Sequence, residues 1–358
     1  VKKKVFSLFL ALTALAVFFL GSSKETNLES FMDEYALENG FSGVVLVAKQ
    51  GEVLFSKSYG YADRQAKKPN TLETQFSVAS LTKSFTAVSV LQLEEKGLLS
   101  LKDPIGKYLS GFPNGNQITI EHLLSNSSGI SGNYRENLDP SESYTTEEWV
   151  KIIKAQPLKS LPGTEFEYST ANFSLLAHII EHVSNKPYEV YVHENILLPL
   201  GMRHSTFDTA SLRAPATGYI SGESVEFPSS SFSVGGGGLY STVGDMYLYD
   251  QALYSQTILG KAQLEKMQAG IVSAAPIGII QYGMGWYVAE NMITFGHKTL
   301  SHAGQGYGFR NDIERFVDDN VTVIVLSNKG EKWNQPALGR RLASIVLNKR
   351  FWFWQNLV

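Results

Sequence analysis

Ser80-Leu81-Thr82-Lys83 is the one Ser-x-x-Lys in this chain of 358 residues. At helical spacing, residues three apart share a face. That places a hydroxyl beside an amine. A partly desolvated amine can take the hydroxyl proton and turn serine into a nucleophile. Ser-x-x-Lys is common by composition, so its setting carries the argument. The run Ser84 to Leu93 is apolar or small on nearly every face, Glu94-Glu95-Lys96 is polar, and Gly97 can cap the end. A helix apolar all round is a buried helix. The pair would stand at its N-terminus.

The elements around this helix read as an α+β fold. Ser42 to Ala48, Lys49-Gln50-Gly51 and Glu52 to Gly60 form a β-hairpin pattern. Residues of about 98–230 mix helix starts with loops. Thr145-Thr146-Glu147-Glu148 precedes Trp149 as a helix start with an acidic first turn, and Asn172 to Ser184 is amphipathic. Strand patterns return at Gly285 to Ala289, Lys298 to His302 and Val321 to Leu326, and Pro336 to Leu347 reads as a closing helix. We therefore expect an antiparallel sheet built from both ends of the chain, flanked by helices, with a mainly helical region inserted over about 98–230.

Composition narrows the function. Aromatic content of 12% and charged content of 18% fit a folded globular enzyme rather than disorder. With no cysteine, thiol catalysis, disulfides and Cys-ligated metals are excluded. Residues 1–23 combine Lys2-Lys3-Lys4, an uncharged run from Val5 to Leu20, and Gly21-Ser22-Ser23. This is the pattern of an export signal or N-terminal anchor, which predicts a cell-envelope or extracellular protein. Without those three lysines 28 basic residues face 34 acidic ones, a net of −6, which argues against nucleic-acid binding.

Three segments in order resemble the penicillin-recognising serine hydrolases. They are Phe76 to Lys83, Pro162 to Leu176, and Ser301-His302-Ala303-Gly304-Gln305-Gly306-Tyr307-Gly308-Phe309. Leu123 to Ile130, Pro199-Leu200-Gly201-Met202 and Gly238 to Thr242 fit the same pattern, so the resemblance spans about residues 30–347. The nearest branch is the class C β-lactamases, with the D-Ala-D-Ala carboxypeptidases, D-aminopeptidases and esterases. The resemblance implies a β-lactamase/transpeptidase-like fold over 24–350, followed by an aromatic tail, 351–358. It implies a serine acyl-hydrolase without cofactor or metal, acting on a small-molecule or peptidoglycan-peptide acyl substrate, with β-lactams within reach.

Roles follow residue by residue from that resemblance. Ser80 would form the acyl-enzyme, Lys83 would relay its proton, and Tyr168, with Lys83 as neighbouring cation, would pass a proton to the leaving group. His302 stands where many members carry lysine and would give electrostatic help, either as a cation for a substrate carboxylate or as a neutral hydrogen-bond donor. Thr170, Asn172, Ala303, Gly304 and Gln305 would hold substrate, with the backbone N–H groups of Ser80 and Gln305 as the oxyanion hole. Departures accompany the match. Tyr168-Ser169-Thr170 replaces Tyr-x-Asn, His302 replaces lysine, and Tyr307 replaces a common proline. These disfavour efficient β-lactam hydrolysis and leave peptidase and esterase activity open.

Three other features compete for a role. His178-Ile179-Ile180-Glu181-His182 matches a zinc-protease pattern, but no third ligand is evident and a solvated helix face explains it. The glycines at 235–238 lack a following Gly-Lys-Ser/Thr and read as a backbone bend. The tail from Lys349 to Trp354 could contact a membrane surface or pack on the domain. A non-catalytic binding or sensor module would also keep the fold. Joint retention of Ser80, Lys83 and Tyr168 favours catalysis.

Overall fold

The computed structural model describes residues 27–352 except 137, 276–277 and 332–333. The expected export signal and the tail from residue 353 onward lie outside the described residues. The centre is an eight-stranded, wholly antiparallel sheet. Its strands are β1 (Gly43–Lys49), β2 (Glu52–Tyr59), β3 (Val272–Ser273), β4 (Gln281–Tyr282), β5 (Tyr287–Ala289), β6 (Thr299–Gly306), β7 (Phe309–Phe316) and β8 (Val321–Ser327). The spatial order is β2-β1-β8-β7-β6-β5-β4-β3. Both ends of the chain build the sheet, as expected. Gln50 and Gly51 both adopt positive φ, 53° and 82°, which gives the hairpin turn a twist matching its strands.

Both faces of the sheet are covered, and period-two alternation assigns the residues. Val45, Val47, Val323 and Val325 pack with Leu338 and Leu342 of the closing helix. Val44, Leu46, Ile324 and Leu326 join the larger core on the other side. That core holds the helix following Ser80. The helices used below are α1 (Leu28–Asn39), α2 (Thr82–Glu95), α3 (Thr170–Ser184), α4 (Val243–Tyr254) and α5 (Gln335–Val346). Every residue of α2 from Thr82 to Leu93 is buried, because α3 and the helices Tyr188–Val192 and Lys261–Met267 pack around it. The Phe85 ring stacks on Tyr249 of α4 at 3.9 Å. Thr145 and Glu148 form a reciprocal cap on the helix Thr146–Lys154.

One central strand departs from expectation. β7 reads Phe-Arg-Asn-Asp-Ile-Glu-Arg-Phe and shows no apolar alternation, yet all of its residues but Arg310 are buried. Two of its charges meet tertiary partners. Arg315 Nε donates to Asp250 Oδ1 at 2.5 Å, and Arg340 Nη1 lies 3.4 Å from Glu314 Oε1. At the end of the described chain, Phe351 packs near Phe295 and beneath the Arg341 guanidinium, so the tail begins against the domain. Among the described residues, no helix is long and apolar enough to cross a membrane.

Candidate active site

Ser80 lies in a 3₁₀ turn, Ala79–Leu81, at the head of α2. A short ribbon, Phe76–Ser77 with Tyr240–Ser241, delivers the chain to this turn. The Val78 N–H then donates to the Leu239 carbonyl at 2.9 Å. Ala79 is held at φ +48°, a left-handed conformation that costs a residue with a Cβ on the order of 1 kcal/mol. The Thr82 hydroxyl closes the turn on the Ala79 carbonyl at 2.7 Å. Strand β6 lies directly against it. A Cβ at Gly304 would stand 2.2 Å from the Val78 carbonyl oxygen, so only glycine allows this approach.

Lys83 is fully buried one turn along. Its Nζ lies 3.1 Å from Ser80 Oγ, 2.9 Å from the Gly236 carbonyl oxygen and 3.3 Å from Thr170 Oγ1. Burial holds the amine well below the ordinary lysine value, and the Arg135 charge adds to the effect. A neutral amine suits these three neighbours. It donates to Gly236 and Thr170 and keeps a lone pair for the Ser80 hydroxyl proton.

The Tyr168 phenol faces Ser80, and its ring lies 5.0 Å from Lys83 Nζ. Burial raises its phenol well above the ordinary tyrosine value. The expectation that a Lys83 cation lets Tyr168 ionise near neutrality is therefore corrected. Burial disfavours the charge on Lys83 and holds the proton on Tyr168, so Tyr168 is equipped as a donor or relay.

Of the two roles expected for His302, the cation is the one the structure disfavours. It is 2% exposed, and burial pushes its pKa down to about 3. Nδ1–H donates to the Ala303 carbonyl at 2.7 Å, and the Tyr282 hydroxyl, 3.1 Å away, donates to Nε2. Both nitrogens are satisfied by the protein. His302 is neutral and supplies no positive charge to a substrate. The rings of Tyr168, Tyr282, Tyr287 and His302 cluster at 4.9–6.3 Å and fix one another.

The substrate-binding candidates divide. Gln305 and Thr170 line an open cleft with Ser80, although the Thr170 hydroxyl is engaged by Lys83. Gly304 is the close-packing residue behind the nucleophile. Asn172 is fully buried and faces away from the cleft. Its Oδ1 accepts from Ser128 Oγ at 2.6 Å, and its Nδ2 donates to Asn126 Oδ1 at 2.8 Å. It ties α3 to the 126–128 loop and is corrected to a structural residue. Ala303 points to the opposite face of β6, into a second cavity with Ser301, Asp312 and Glu314, so its side chain does not reach the cleft. Beyond Ser301, β6 has no strand partner on its β5 side among the described residues, which leaves that edge open beside Ser80.

Sequence reading missed two contributors. Gly236, within the glycine run read as a bend, gives its carbonyl to Lys83. Arg135 brings a guanidinium to the cleft from a loop with no periodic signal. The His178 segment is tied up structurally. His178 Nδ1 lies 3.0 Å from Thr146 Oγ1, Glu181 Oε2 accepts from the same hydroxyl, and Glu181 Oε1 accepts from Tyr188 N–H at 2.9 Å.

Together a serine, a buried neutral amine and a phenol surround one point on an open cleft. That set can drive acyl transfer. Known proteins carry the same architecture. PbpX of Bacillus subtilis (strain 168), named as a penicillin-binding protein, is 36% identical over 301 residues, covering 82% of this chain and 72% of PbpX. The octameric penicillin-binding protein homologue from Pyrococcus abyssi superposes with a TM-score of 0.80 at 30% identity, covering 90% of this chain and 77% of that one. The D-amino acid amidase from Ochrobactrum anthropi SV3 superposes with a TM-score of 0.77 at 25% identity, covering 88% and 96%. The Beta-lactamase family model matches residues 25–347, and the chain belongs to that family of serine hydrolases.

Proposed function

We propose that this chain is a D,D-peptidase-like acyl-hydrolase of the cell envelope that works through an acyl-enzyme on Ser80. The observation that carries the reading is the 3.1 Å approach of a fully buried Lys83 amine to Ser80 Oγ. Ser80 Oγ attacks the acyl carbonyl while its proton passes to Lys83 Nζ. The backbone N–H groups of Ser80 and Gln305 take the oxyanion, where one such donor is worth about 3 kcal/mol of barrier. The carbon–nitrogen or carbon–oxygen bond then breaks. The leaving group takes a proton from the Tyr168 phenol, which regains one from Lys83. Water attacks the acyl-enzyme by the reverse path, with the proton returning to Ser80.

Peptidoglycan-type D-alanyl amides and simple D-amino acid amides or esters suit the site better than β-lactams. The Thr170 hydroxyl is engaged by Lys83, and neutral His302 gives no cation for a β-lactam carboxylate. Likeness to a D-amino acid amidase supports the same substrate class. The basic and apolar pattern of residues 1–23 supports an exported location. The test is intact mass after incubation with a fluorescent penicillin and with an active-site phosphonate, followed by peptide mapping. The adduct is expected on the peptide containing Ser80. An adduct on another serine, or full turnover by Ser80→Ala, defeats the proposal.

A further inference from the structure

Arg135 holds a charge that the described protein does not compensate. It lines the Ser80 cleft together with Ser233, Thr170 and Gln305. Its Nη1 donates to Ser233 Oγ at 3.1 Å. Its guanidinium carbon lies 5.0 Å from the Tyr134 and Phe232 rings and 5.5 Å from Trp149. Nε and Nη2 are screened from water and have no hydrogen-bond partner. The Tyr134 hydroxyl stands beside the guanidinium, short of hydrogen-bond geometry. Among the described residues, no carboxylate forms an ion pair with it. The charge is felt across the site: it adds to the burial that lowers Lys83 and opposes the burial that raises Tyr307. A partly desolvated, unpaired cation beside a nucleophile is an unfavourable arrangement unless an anion visits it.

We propose that Arg135, with the Ser233 hydroxyl, docks a carboxylate on the acyl portion of the substrate, so the preferred acyl donor is acidic. This rests on the acyl-hydrolase reading of Ser80. The side of the cleft identifies the portion bound. The leaving group departs toward its proton source, and Tyr168 stands with His302 and Tyr282, outside the lining that contains Arg135. What fills the Arg135 side is the part that stays on Ser80. Nη1 and the Ser233 hydroxyl are the cleft-side donors, and the aromatic rings behind the guanidinium hold it without neutralising it. A carboxylate there gains charge-assisted hydrogen bonds that a neutral amide of equal size cannot match.

The test compares N-succinyl-D-alanine methyl ester with its neutral isostere, N-succinamoyl-D-alanine methyl ester. Wild-type kcat/KM should favour the carboxylate by about tenfold or more. In Arg135→Gln the ratio should fall to near one, and Arg135→Lys should keep an intermediate preference. Ser233→Ala should lower the ratio in part. Binding of both esters to Ser80→Ala, followed by calorimetry, gives a second readout that needs no turnover. A wild-type ratio near one, or the same ratio in Arg135→Gln, overturns the proposal. Equal losses for both esters would make Arg135 a structural residue or a modulator of Lys83 only. If the wild type turns over neither ester but Ser80→Ala binds the carboxylate preferentially through Arg135, the docking site stands and the catalytic reading falls. Absence of preferential binding as well defeats both.

Discussion

The carbonyl oxygen of Gly236 lies 2.9 Å from the Lys83 amine and orients it toward Ser80. A Cβ at position 236 would stand 2.4 Å from Thr170 Cγ2 and 3.2 Å from Lys83 Nζ. Gly236→Ala should therefore push the amine and the Thr170 hydroxyl out of register with the nucleophile. Displacing a reacting group by about 1 Å can cost on the order of 10²-fold in rate. We expect a loss of that size in kcat for D-alanyl esters, with the thermal midpoint little changed. An unchanged kcat would mean that the carbonyl does not orient the amine.

His302 makes a prediction about stability. Its folded pKa, about 3, is depressed below an unfolded value near 6.5. Above pH 6.5 both states are neutral, and the stability of the packed ring is fully present. Between pH 6.5 and about 3 the unfolded chain binds the proton and the native protein does not. Stability is then lost as pH falls, at up to about 1.4 kcal/mol per unit. Urea unfolding at pH 7 and pH 5 should show a steeper loss in the wild type than in His302→Gln. Equal slopes would refute a buried neutral imidazole.

The sequence made some of this legible and hid the rest for identifiable reasons. The helix after Ser80 could be read because it is apolar on all faces, and its burial follows from that. The cap at Thr145 and Glu148 was legible as a local exchange of side-chain bonds. Strand β7 was hidden because Asp312, Glu314 and Arg315 are buried polar residues, two of them paired with Asp250 and Arg340 from distant helices. No local pattern announces such partners. Ala303 is different. Period-two alternation already separates it from His302 and Gly304, so its turning away from the cleft was available from the strand reading alone. The protonation of His302 was not, since it depends on Tyr282 and on burial.

Asn172 joins Ser128 and Asn126 beneath the cleft. Asn172→Ala leaves the buried Ser128 hydroxyl proton without its acceptor, while Asn126 Oδ1 keeps the Ser169 N–H; an unsatisfied buried donor costs about 1–3 kcal/mol. Denaturant unfolding should register the loss, while KM for esters and amides stays within about twofold at 25 °C, where most molecules remain folded. A large rise in KM with unchanged stability would instead return Asn172 to the substrate.

Lys83 and Tyr168 serve one hydroxyl, and their losses should not add. Lys83→Ala and Tyr168→Phe should each lower kcat/KM by about 10²- to 10⁴-fold, the range for a positioned acid or base. The double variant should be little worse than the weaker single variant, because a proton relay broken once is already broken. The pH profile assigns the two steps. Lys83 must be neutral to accept the Ser80 proton, so activity should rise with pH through its depressed pKa and then level off. Tyr168 holds its proton well beyond the ordinary tyrosine range and should add no falling limb below about pH 10. His302→Gln should keep the acid limb, since that limb belongs to Lys83, and the residual rate of Lys83→Ala should lack it. Strict additivity of the two losses, or an acid limb that vanishes with His302, would show that the proton leaves Ser80 by another route.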